Sequence, residues 1–114
     1  MLRELNDILS VIKIYHLITV KHRNAHKVAG KLYDKLSELF DKYQEIYLGY
    51  ESDPRAVNIG SGYEVKKLSD KEFVEFLKDL SEKLDDLVDH RDRRALLLVL
   101  DEINVEVRHS LAFL

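Results

Sequence analysis

The sequence predicts an all-α chain, a four-helix bundle built as two helical hairpins joined by a long crossover. Three observations carry this. Apolar residues recur every three or four positions in four separate stretches of the 114-residue chain. Charged clusters at 21–24 and 90–93 interrupt the pattern only briefly, and short links make antiparallel neighbours. Between 49 and 68 helical periodicity lapses altogether, in a stretch that holds Pro54 and Gly60-Ser61-Gly62.

The first helix is expected over residues 2–21. Leu5, Leu9, Ile12, His16 and Thr19 share one face, with Leu2, Ile8 and Tyr15 beside it. Lys21-His22-Arg23-Asn24 ends that pattern, and Asn24 is a suitable N-cap for a second helix over 25–48. There Ala29, Tyr33, Leu36, Phe40, Tyr43 and Tyr47 form the core stripe, flanked by Leu32, Leu39 and Ile46. The crossover is expected over 49–68. Val57-Asn58-Ile59 and Tyr63-Glu64-Val65 flank its glycines and pair as a small hairpin or pack as an ordinary loop. Ser69-Asp70-Lys71-Glu72 has the form of a capping box and opens a third helix over 70–90, with Phe73, Leu77, Leu80, Leu84 and Leu87 as its seam. Asp92 can cap a fourth helix over 93–114, lined by Leu96, Leu100, Ile103, Val107 and Leu114. A crossover of this length can run from one end of the bundle to the other, the plan of ferritin-like folds. The chain reads as one domain, with no internal repeat beyond the two hairpins.

Composition narrows the function. The formal charge is −3, and acids and bases are mixed along every segment, so the basic stripe of a nucleic-acid surface is missing. No cysteine is present, which removes disulfide scaffolds and thiolate metal sites. MLRELNDIL carries acids where a signal peptide wants bases, and no run approaches the length of a membrane span. A soluble, cytoplasmic protein without a membrane partner is the expectation. Nucleophile triads, phosphate-cradling glycine loops and dinucleotide fingerprints are absent from the sequence.

One constellation carries chemistry. His16 and His26 bracket the first interhelical turn, and Asp41 and Glu45 follow on the second helix. Imidazole nitrogen and carboxylate oxygen together suit iron and similar divalent ions. Fifteen helical residues separate His26 from Asp41 by about 22 Å, so one straight helix cannot bring both to one ion. Asp41 lies roughly 60° around from His26 and Glu45 about 40° further, away from the core stripe. Two copies could complete the site if a second helix packed antiparallel along the side that carries Gly30 and Ser37, where a mid-helix glycine otherwise costs about 1 kcal/mol. Each end would then join His16 and His26 of one subunit to Asp41 and Glu45 of the other. The plainer readings are that Asp41 and Glu45 are solvated acids and that His16 is a hydrogen-bonded core residue.

The segment Ile14-Tyr15-His16, then His26-Lys27-Val28-Ala29-Gly30-Lys31-Leu32-Tyr33-Asp34-Lys35-Leu36, through to Asp41 and Glu45, resembles the first two helices of Dps, the miniferritins of the ferritin-like superfamily. It is also similar to small helical proteins of phages and large DNA viruses. The resemblance covers roughly residues 5–50. It implies a ferroxidase site shared between two-fold-related subunits, with His16 and His26 from one chain and Asp41 and Glu45 from its partner. Iron, a ferroxidase activity and a homodimer or larger homo-oligomer follow from the resemblance. Leu17 stands where the family usually has tryptophan, the spacing between the histidines is shorter, and no short helix is evident in the crossover.

Two rival sites are weaker. Glu106-Val107-Arg108-His109 has the Glu-x-x-His spacing of carboxylate di-metal proteins, but the partner positions midway along helices one and three are Leu9, Ile12, Leu80 and Leu84. Asp85, Asp86, Asp89, His90 and Asp92 could hold a cation, yet Arg91, Arg93 and Arg94 make an ion-pair network the simpler reading. The rival function is a catalytically inactive helical module that binds another protein, with tyrosines near the end of helix two as its surface.

Overall fold

The computed structural model describes residues 2–56, 67–86 and 94–114, excepting the side chains at 2–4, 85 and 86. Among the described residues there are four α-helices: α1 (Leu2–Ile18), α2 (Arg23–Gly49), α3 (Asp70–Asp86) and α4 (Arg94–Ala112). A 3-10 turn, Pro54–Ala56, follows α2 in the crossover. The expected hairpin at 57–59 and 63–65, the Asp92 cap, Leu87 and the acidic cluster from 85 to 92 lie outside what is described.

Two contacts fix the directions. The Tyr15 ring, near the C-terminal end of α1, stacks on Phe73 at the start of α3, with centroids 3.7 Å apart. Asn24, at the start of α2, donates from Nδ2 to the carbonyl of Phe113 beyond the end of α4, at 2.8 Å. α1 therefore runs antiparallel to α3, and α2 antiparallel to α4. The short turn 19–22 makes α1 and α2 antiparallel as well, so α2 ends at the opposite end of the bundle from the start of α3. The connection joins those two ends, and the four-helix bundle has the crossover plan expected from the lengths of the links.

The core is built from the stripes that periodicity marks. Ile12, Leu36, Phe40, Tyr43, Phe73, Leu77, Leu96, Ile103 and Val107 are wholly buried, and Leu5, Leu32, Leu80, Leu84 and Leu100 nearly so. Burying side chains of this size stabilises a fold by roughly 2 kcal/mol each, which sets the helix faces more firmly than local propensity does. Val11 and Val99 are buried too. Tyr33 and Tyr47 only flank the core, Leu32 being buried beside Tyr33 instead, and Leu114 is exposed, because α4 stops at Ala112 and the last residues leave the interface.

The helix ends show which caps operate. Ser69 and Glu72 form the reciprocal capping box: Glu72 N–H donates to Ser69 Oγ and Ser69 N–H to Glu72 Oε1, each at 3.2 Å. Asn24 does not cap α2. That helix starts at Arg23 behind His22, without a side-chain cap, so Asn24 lies within its first turn, and the Asn24 amide donates to the far end of α4. α1 ends at Ile18 rather than at 21, since Thr19 Oγ1 turns back to the carbonyls of Tyr15 and His16, at 2.8 and 3.2 Å.

Candidate metal centre

His16 lies in the last turn of α1 and His26 in the first turns of α2, and the tight connection lays their rings face to face. The centroids are 3.9 Å apart and the planes differ by 14°. His16 Nδ1–H donates to the His26 carbonyl at 2.8 Å, and His26 Nδ1–H to the His16 carbonyl at 2.6 Å. A carbonyl oxygen can only accept, so each ring carries its proton on Nδ1, and the Nε2 lone pair is left free in the neutral tautomer. Both histidines are half-buried.

The exchange serves the fold as well as the rings. The last carbonyls of a helix have no intrahelical partner, and a basic side chain there also meets the negative end of the helix dipole. His26 supplies such a donor to α1. The His16 ring in turn lies against the backbone of α2 at Gly30, where an added Cβ would stand 2.7 Å from Cε1 and 2.9 Å from Nδ1 of His16. The glycine's close approach is thus made within the chain. Gly30 is thus accounted for by the chain's own histidine and gives no reason of its own to expect a second α2 helix there.

Asp41 and Glu45 are exposed and lie well along α2 from the histidines. Asp41 borders a shallow groove between α1 and α2, together with Asn6, Leu9, Ser37 and Gln44. Gln44 Nε2 donates to Asn6 Oδ1 across that groove, at 3.1 Å. The structure therefore brings His16 to His26 and leaves both acids apart from them. Among the described residues no group of three or more His, Asp or Glu is close enough to hold a metal ion.

The donor set suits a divalent transition metal in kind: imidazole nitrogens with a free lone pair, their other nitrogens held by backbone carbonyls, and exposed carboxylates. The stacking sets a geometric limit. Each lone pair lies in its own ring plane, and nearly parallel planes at this separation do not converge on one ion. As stacked, the pair offers one nitrogen to an ion, and using both requires one ring to turn and release its carbonyl.

The rival internal site has no interior to occupy. Ile12, Leu80 and Leu84 are buried apolar residues and Leu9 packs against the core. His109 is exposed, edge-on to Phe113, and shares a cleft outside the bundle core with the half-buried Glu106. The reciprocal histidine bonds were not legible in the sequence, although Gly30 one turn after His26 is the residue that makes them possible. Compared with protein-family models, curated proteins and solved structures, the chain finds no match.

Proposed function

We propose that the chain is a Dps-like, iron-binding member of the ferritin-like superfamily, with its site completed by a second copy. His16 and His26 of one subunit and Asp41 and Glu45 of the other are the ligands in this reading. The observation that carries it is the reciprocal pair of Nδ1–H bonds, which leaves Nε2 of each half-buried neutral ring as the lone-pair nitrogen. Leu17, Ile18 and Val20 follow His16 directly and are 57%, 45% and 64% exposed, an apolar corner suited to a contact between copies. Ferrous ion is the substrate. Each ion gives up one electron, and a peroxide that takes two electrons and two protons leaves as two waters. One histidine holds the ion through Nε2 as stacked and the other joins it once its ring turns off its carbonyl, and the carboxylates of Asp41 and Glu45 stabilise the more highly charged ferric product.

Anaerobic ferrous titration with sedimentation tests this. The wild type should sediment as a dimer or larger assembly and bind iron, while His26→Ala and Asp41→Ala should each lose binding with helicity retained. Mixing the two variants should restore part of the capacity, because one mixed interface then holds a complete set. A strict monomer, or equal binding by all forms, overturns the proposal. A monomer that binds no iron supports the alternative, an inactive interaction module. Leu98 and Val105, one heptad apart and 64% and 63% exposed on α4, are the observation in that reading's favour.

A further inference from the structure

Away from the histidines, α2 and α4 enclose a cleft of about 530 Å³. That volume falls in the range of small-molecule sites. Its floor is apolar, with Leu32 buried beneath it and Val28 and Phe113 to the sides. The bond from Asn24 to the Phe113 carbonyl ties the two helices together at one end. Along the α2 rim run Lys27, Lys31 and Lys35, four residues apart and so on one side of the helix. None of the three forms a hydrogen bond or ion pair with a described residue. The acids at the cleft are Asp34 and Glu106, so the lysines outnumber them.

We infer that this cleft binds an amphipathic carboxylate, its apolar tail over Val28, Leu32 and Phe113 and its anionic head at the lysine rim. The apolar floor accounts for the tail, since removing such surface from water is favourable. The unpaired ammonium groups account for the head, as three long flexible cations can each reach one carboxylate from the same rim. A partner helix fits less well, because the enclosed volume matches a small molecule and one end is tied shut.

The test is NMR titration of the metal-free, 15N-labelled chain with decanoate below its micelle-forming concentration. Decanol keeps the tail without the charge, and acetate keeps the charge without the tail. Decanoate should shift the amides of Val28, Leu32 and Ser110 saturably, and decanol and acetate should bind about tenfold more weakly. The combined Lys27→Gln, Lys31→Gln and Lys35→Gln variant should weaken decanoate by about tenfold with an unchanged helical spectrum. Phe113→Ser, at an exposed position, should weaken decanoate and decanol alike. Equal binding of decanol and decanoate, an unaffected triple-lysine variant, or shifts confined to other parts of the bundle would each overturn the inference. So would attachment to anionic vesicles without any response to monomeric decanoate.

Discussion

The His16 ring occupies the space that a side chain at Gly30 would need, with Cε1 2.7 Å from the position of the missing Cβ. Alanine at position 30 gains about 1 kcal/mol of helix propensity over glycine. It must also push the His16 ring off its carbonyl, and each reciprocal hydrogen bond is worth about 1 kcal/mol. Gly30→Ala should therefore leave stability nearly unchanged in urea unfolding, the lost ring bond offsetting the propensity gain. In a His16→Ala background the same change should stabilise by about 1 kcal/mol, because only the propensity gain remains. A substitution that gains no stability without the histidine would refute this account.

Tyr15 links α1 to α3 through its phenol, which donates to Asp70 Oδ1 at 2.7 Å while the ring stacks on Phe73. Burial pushes the phenol well above the usual tyrosine value, and the hydrogen bond to Asp70 and its charge add to the shift. The folded state thus prefers the protonated phenol. Its contribution is fully present below the unfolded tyrosine value of about 10 and declines as pH rises above it. Tyr15→Phe keeps the stack and loses the bond, at about 1 kcal/mol near neutral pH. The stability difference between wild type and Tyr15→Phe should shrink above about pH 10. A difference independent of pH would place the bond's worth elsewhere.

Periodicity made the bundle legible because burial of a helix face is a local pattern. Leu36, Phe40 and Tyr43, spaced four and three apart, are all wholly buried, as are Leu96, Ile103 and Val107 on α4. The crossover plan was legible from link lengths alone. What the sequence misplaced depends on distant partners. Asn24 looks like an N-cap, but α2 starts before it and its amide donates to a carbonyl 89 residues away. Gly30 reads as a point of close approach, but its place in the chain does not say that the chain's own His16 makes that approach. The stacking of Tyr15 on Phe73 joins segments whose order in the chain gives no sign of contact. His16, His26, Asp41 and Glu45 were legible as donor types, but the tautomers and the stacking of the two rings exist only once the hairpin has closed.

At the start of α3, Ser69 and Glu72 satisfy one another's backbone N–H groups. Ser69→Ala should cost about 1 kcal/mol of stability. The Glu72 carboxyl lies below its usual range, held there by the side-chain hydrogen bond and then the backbone bond to Ser69. Its contribution is present above the unfolded carboxylate value and is lost as pH falls through the lowered folded value. Acid titration of Glu72 followed by NMR should show the lowered midpoint in the wild type and a return toward the ordinary range in Glu72 of the Ser69→Ala chain. An unchanged midpoint would mean that the box does not set the carboxyl's charge.

Asn24 supplies a test that separates two roles for one side chain. As an N-cap its loss would loosen the first turn of α2, where His26 N–H donates to the His22 carbonyl at 2.9 Å. As the donor to the Phe113 carbonyl its loss loosens the other terminus instead, beyond the end of α4. The bond is exposed, so Asn24→Ala should cost only about 0.5 kcal/mol overall. Hydrogen exchange locates the effect. The amides of Phe113 and Leu114, which donate to the Ser110 and Leu111 carbonyls, should exchange faster, while the amide of His26 keeps its protection. Faster exchange at His26 with no change at Phe113 would restore the N-cap reading and remove the tie between the two hairpins at this end of the bundle.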